Sequence, residues 1–275
     1  MTYTYHGNIA KMKTELNDSV EYRLPVGNDM VEMNALLGKQ LHMRYQGAIN
    51  CIHCGRKTKK SFSQGFCYPC FTSLAQCDMC IMKPETCHYA AGTCREPEWA
   101  EQHCMQDHYV YLANSSGLKV GITRGTQIPT RWMDQGATQA MPIFRTRDRL
   151  QAGLVEVIIK AHANDRTDWR KMLKGEAEPM DLGAERDRLH GEITSELAQL
   201  RAEHGDDAAT FLPNEQQIEI RYPVLEYPTK VSSFNFDKTP EVGGTLMGIK
   251  GQYLILDGGV INMRKFAGYE IALEV

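Results

Sequence analysis

All nine cysteines of this 275-residue chain fall between Cys51 and Cys104, and that crowding constrains the fold more than any other feature. A secreted disulfide framework is usually even in number, spread along the chain and preceded by a signal peptide. Here the number is odd, and residues 1–10 carry neither a basic stretch nor an apolar one. No apolar run approaches the roughly 18 residues of a membrane span. The expectation is a cytoplasmic protein without a membrane partner, whose thiols are held by metal.

Cys51-x2-Cys54 and Cys67-x2-Cys70, twelve residues apart, form a four-thiolate zinc signature. Each C-x2-C turn presents two thiolates from one knuckle, and two knuckles complete a tetrahedron with no open position. Such a site is structural rather than catalytic; iron–sulfur ligation is the alternative. The intervening loop, with Arg56, Lys57, Lys59 and Lys60, reads as the solvated tip of a ribbon-like finger. Cys77-x2-Cys80 opens a second set. Its other ligands are open among Cys87, His88, Cys94, His103, Cys104 and His108, with Cys87 and Cys94 favoured because their loop is punctuated by Pro84 and Gly92. His103, four residues after Trp99, is expected to pack rather than ligate. The expected complement is therefore two structural Zn2+ ions.

Charge divides the rest. The net charge is −3, yet residues 109–172 carry ten bases and five acids, and residues 173–212 four bases and ten acids. A basic module next to an acidic one points to an anionic partner for the first, or to the two packing together. Five segments follow: an N-terminal β segment (1–50), two zinc modules (51–108), a basic α/β domain (109–172), an acidic helical segment (173–212) and a C-terminal β segment (213–275). Alternation marks strands at 3–6, 21–24, 41–45 and 217–221, and Asp257-Gly258-Gly259 joins a hairpin. Leu36-Leu37-Gly38 and Leu246-Met247-Gly248 look alike, and the two ends are expected to meet in one barrel or sandwich. Helical spacing runs from 185 to 204. The class is α+β.

Directly after the cysteines, residues 109–114 and 118–123 read as two strands joined by Ser115-Ser116-Gly117, a hairpin with Gly121 inside its second strand. A short helix follows at 129–135, a strand at 141–146 and a helix over about 150–163. On that helix Leu150, Leu154, Val157, Ile158 and Ala161 form one apolar face and Val155 and Ile159 another. Glu156 is left in a narrow polar strip, four residues before Lys160, where it is either a ligand or half of an ion pair.

This stretch resembles the GIY-YIG nuclease superfamily. Tyr109-Val110-Tyr111 stands at the first motif, Lys119-Val120-Gly121 at the second, Arg131 follows on a helix, and Glu156-Val157-Ile158-Ile159-Lys160 is similar to the metal-binding helix. The resemblance covers residues 109–163 and departs from the pattern at Tyr109, which replaces a glycine, and at Lys119, which replaces a tyrosine. It implies that Tyr111 helps to activate water, that Arg131 stabilises charge on the scissile phosphate, and that Glu156 holds one Mg2+ or Mn2+; Lys119, where the sequence departs from the motif, is a candidate phosphate contact. Asn164 is the nearest counterpart of a later asparagine. Arg145, Arg147, Arg149, Arg166 and Trp132 are candidates for tracking and stacking on DNA or RNA, although arginines on helices often only solubilise. The whole chain also resembles an uncharacterised bacterial family known as a domain of unknown function. Three functions compete: a metal-dependent nuclease, a non-enzymatic nucleic-acid binder on a decayed scaffold, and a zinc-stabilised protein-interaction scaffold.

Overall fold

The computed structural model describes residues 3–163 and 167–275. Asn164 and Arg166 lie outside the described residues. The chain begins with β1 (Thr4–Asn8), β2 (Lys13–Leu16), β3 (Val20–Val26), β4 (Asp29–Glu32) and the long β5 (Gln40–Asn50). Inward and outward residues alternate strictly along β3: Val20, Tyr22, Leu24 and Val26 are buried, while Glu21, Arg23 and Pro25 are not. The cysteine region holds β6 (Lys57–Thr58), α1 (Tyr68–Ser73), α2 (Pro97–His103) and three single-turn 3-10 helices, Ala75–Cys77, Met79–Ile81 and Pro84–Thr86. It has little apolar surface of its own to bury.

Next come β7 (His108–Asn114), β8 (Leu118–Arg124), α3 (Thr130–Asp134), β9 (Gln139–Thr146) and α4 (Arg149–Lys160). The expected hairpin is present, with Tyr111 opposite Gly121. Asp148 caps α4 by accepting from Gln151 N at 2.8 Å. Then follow α5 (Trp169–Lys174), α6 (Leu182–Glu192), α7 (Thr194–His204), β10 (Thr210–Phe211) and β11 (Ile218–Glu219). The helical run expected over 185–204 is thus two helices, broken at Ile193 (φ −106°, ψ 15°). The chain ends with β12 (Glu241–Lys250), β13 (Tyr253–Leu256), β14 (Gly259–Asn262) and β15 (Tyr269–Glu274).

The two ends do meet, in one antiparallel sheet of order β1-β15-β5-β12-β13-β14. The similar segments around Gly38 and Leu246 bond each other, Gly38 N to Leu246 O at 2.8 Å and Leu246 N to Lys39 O at 2.9 Å. This sheet is open rather than the barrel that was one of two expectations. Closure is not required, because the β2-β3-β4 sheet shares its apolar core: Tyr22, Leu24 and Met33 pack with Met43, Leu254 and Ile271. A second sheet, β10-β9-β7-β8 with β11 also on β9, is packed on both faces. Val110, Leu112 and Val120 join Ala152, Val155 and Ile159 of α4 and Leu189, Leu197 and Leu200 of α6 and α7. Tyr111, Ala113 and Ala140 instead join the core of the terminal sheet. The acidic segment therefore packs on the basic one, and each fully buried aliphatic side chain contributes roughly 1.5–3 kcal/mol. Among the described residues no helix is long and apolar enough to cross a membrane.

Candidate metal centre and cationic cavity

The first cysteine quartet gathers at the end of β5. Cys51 N donates to Arg56 O and Gly55 N to Cys51 O, both at 2.9 Å, closing a turn in which Gly55 takes φ +70°. Cys67 precedes α1 and Cys70 lies in its first turn. The Sγ atoms of Cys51, Cys54, Cys67 and Cys70 all lie within 4.8 Å of one another, and Cys54 and Cys67 are 3.8 Å apart. Zn–S bonds of about 2.3 Å give a tetrahedron with edges of about 3.8 Å, so the donor set fits such an ion. A disulfide needs sulfurs about 2.05 Å apart, and every cysteine is a free thiol. The quartet is electrostatically divided. Burial opposes ionisation of Cys51, but backbone N–H groups of Cys54, Cys67 and His53 bring it down to about 6. Cys70 is pushed up, by burial first and then by the three thiols around it. Four thiolates share this space only with a compensating cation.

The remaining cysteines do not gather as expected. Cys77 packs beside the first quartet, against the core of Cys51, Phe66, Cys67 and Leu74. Cys80 instead joins Asp78 and His88 in a second close group. Cys87 and Cys94 are half-buried, and Cys104 is buried. His103 stacks on Trp99, with ring centroids 4.2 Å apart.

Tyr111 of β7, Lys119 of β8, Arg131 of α3 and Glu156 of α4 all line one cavity of about 600 Å³. Eight basic residues surround it, against Asp134 and Glu156 among the described residues. Positive charges gathered between low-dielectric walls focus a field that attracts anions. The Tyr111 hydroxyl donates to Gln135 Oε1 at 2.8 Å. Lys119 Nζ donates to the same oxygen and to Thr167 Oγ1, both at 3.2 Å. Burial raises the Tyr111 phenol above its ordinary value, while Arg131 acts against that through its charge and a hydrogen bond. The tyrosine is therefore a protonated donor. Glu156, 9% exposed, faces Lys160 at 3.5 Å. Arg149 and Arg264 are both held below the usual guanidinium range, chiefly by burial, and Arg131 lowers each further.

The other candidates separate. Arg149 lines the cavity, but Arg145 pairs with Asp107 at 3.6 Å and Arg147 with Asp207 at 3.3 Å. Trp132 is 2% exposed and packs edge-on to Tyr111, so its ring is core and offers no platform to a base. Sequence reading missed Gln135 and Asp134, which lie one turn beyond Arg131; that spacing was the available signal. It also missed Lys11, ion-paired to Asp134, and Arg264. Both come from the chain ends, where nothing local marks them.

These features define an α+β protein with a four-cysteine centre of metal-site geometry and a separate cationic cavity. By sequence, the chain belongs to an uncharacterised family described as "Protein of unknown function (DUF2797)", whose family model matches residues 38–271. No curated protein and no solved structure matches the chain, and the nuclease resemblance of residues 109–163 draws no support from these comparisons.

Proposed function

We propose that the chain is a zinc-stabilised nucleic-acid-binding protein whose cavity engages a phosphodiester and hydrolyses it with a divalent ion. The observation that carries this reading is the convergence of Tyr111, Lys119, Arg131 and Glu156, from four separate elements, on one strongly basic hollow. Arg131 and Arg149 bind the phosphate and offset charge developing on it. Gln135 holds the Tyr111 hydroxyl and the Lys119 ammonium together, so both donors are fixed before substrate arrives. Lys119, an ammonium with donors only, cannot accept a hydrogen bond as the tyrosine it replaces would, and serves as a phosphate contact. Glu156 suits Mg2+ or Mn2+, which takes one or two carboxylates and fills its remaining positions with water and phosphate. Such an ion, when bound, polarises the phosphate and leaving oxygen. In the quartet, zinc serves as a structural ion. Nine cysteines, none of them in a disulfide, suit a reducing compartment, hence the cytoplasm.

A second reading is non-enzymatic binding of nucleic acid by the same cavity. It is favoured by the Glu156–Lys160 pair, in which the lysine already occupies the carboxylate's field. Branched, single-stranded and duplex DNA and RNA, incubated with Mg2+ or Mn2+, separate the two. Cleavage that falls about 100-fold or more in Glu156→Gln and Arg131→Ala supports hydrolysis. Cleavage indifferent to both excludes this site. Binding without cleavage, weakening steeply as salt rises, selects the second reading, and binding of neither DNA nor RNA rejects both.

A further inference from the structure

Asp78, Cys80 and His88 bring one oxygen, one sulfur and one nitrogen within 4.8 Å of one another, in a loop that contains little regular structure. His88 Nδ1 lies 2.8 Å from Thr93 Oγ1, a hydroxyl that can donate its own proton to His88 O at 3.3 Å. In the tautomer that donates from Nδ1 to Thr93, the Nε2 lone pair faces Asp78 Oδ2, 3.6 Å away, and two lone pairs so placed repel unless a cation lies between them. For bonds of about 2.0–2.1 Å, tetrahedral nitrogen and oxygen ligands lie about 3.4 Å apart, close to that separation. A histidine that binds metal through one nitrogen commonly donates its other N–H to a neighbouring oxygen, the part Thr93 fills here.

We infer that Asp78, Cys80 and His88 Nε2 form a second metal site for a zinc-class ion, three protein ligands that leave the fourth position to water. A divalent ion balances the Asp78 carboxylate and the Cys80 thiolate, and Arg95, whose Nε meets Asp78 Oδ2 at 2.6 Å, holds that carboxylate in place. Arg95 also donates to Phe71 O and Leu74 O, each at 3.2 Å, tying this group to the end of α1. The site has a use in the fold. Ile81, Met82, Lys83 and Pro84, which follow Cys80 directly, form one wall of the basic cavity, and Ile81 O accepts from Arg149 Nη2 at 2.7 Å. The inference does not depend on whether that cavity cleaves anything.

Metal content of the full-length protein, purified in zinc and measured against protein concentration, tests it. About two ions per chain are expected in the wild type, about one in His88→Ala and about one in Cys67→Ser, which disables only the first quartet. His88→Cys, a ligand exchange that zinc sites accept, should keep two and, with Co2+ in place of zinc, strengthen the thiolate-to-cobalt absorption. That variant keeps the test decisive where His88→Ala fails to fold. One ion in the wild type overturns the proposal, since a proton on Nε2 then accounts for the Asp78–His88 contact. Two ions retained in folded His88→Ala overturn it equally.

Discussion

Gly121 shows how closely the cavity is built. A methyl group there would lie 2.6 Å from the Tyr111 hydroxyl oxygen and 2.7 Å from Cζ, so the hydroxyl end of the ring fills the space beside the position that the hairpin pairs with it. Gly121→Ala should cost about 1–3 kcal/mol, as overpacking generally does, and should displace Tyr111 from Gln135; a thermal unfolding midpoint equal to wild type would refute this. His108 supplies a second test. Its side chain is buried, Nδ1 meets Gln106 O at 2.8 Å, and Nε2 has no hydrogen-bond partner among the described residues. Burial holds its pKa down at about 4, with Arg149 and Arg124 adding to the effect and the Gln106 carbonyl opposing it. Because the folded value lies below the unfolded value of about 6.5, its contribution is full above pH 6.5 and drains away as pH falls toward 4. That difference corresponds to roughly 3 kcal/mol. Urea midpoints of wild type and His108→Gln should therefore converge on acidification, the wild type losing more. Parallel profiles would show that His108 does not titrate in this window.

Elements that follow from local pattern were legible in the sequence. The hairpin of β7 and β8, the β13–β14 hairpin around Asp257-Gly258, and α4 all stand where alternation, turn residues and helical spacing placed them. Elements held by distant partners were not. β4 and β2 are short, half-exposed strands that exist because β3 lies between them, and β12 carries Gly243 and Gly244, which weaken any strand pattern. The site shows the same division. Residues within one hairpin or one helix turn could be paired by spacing, whereas the cavity's loop wall came from the cysteine region without local warning. The seam between that wall and α4 is tight. A Cβ on Gly153 would lie 2.6 Å from Glu85 N and 2.7 Å from Pro84 Cγ. In an isolated helix Gly→Ala gains about 1 kcal/mol. Here the contact with backbone outweighs that gain, so Gly153→Ala should destabilise the protein and open residues 79–86 to limited proteolysis. Stabilisation with unchanged protection would show that the wall yields freely.

At the scale of the whole molecule, the last strand does more than the first. β15 lies between β1 and β5, so it carries a ladder on each side, whereas β1 is an edge strand whose ladder among the described residues is with β15, its last residue Asn8 also accepting from Gly27 N at 2.9 Å. β1 to β4 also precede Gly38, where the family match begins. The start of β15 reaches the metal centre as well: Asn50 N donates to Gly268 O at 2.8 Å, one residue before Cys51, and Ile49 pairs with Tyr269. Position in the sheet, rather than distance along the chain, should therefore decide tolerance to truncation. Removing residues 1–7 exposes one face of one ladder and should leave a folded protein with a lower unfolding midpoint and its quartet metal retained. Removing residues 269–275 strips β5 of a partner along most of its length, takes Ile271 and Leu273 from the core, and loosens the register that sets the first knuckle. That variant should lose cooperative unfolding and release the quartet's metal to a chelator far faster than wild type. Equal metal retention in the two truncations would mean that the knuckle is held by its own turn, Cys51 to Gly55, and not by the sheet that delivers it.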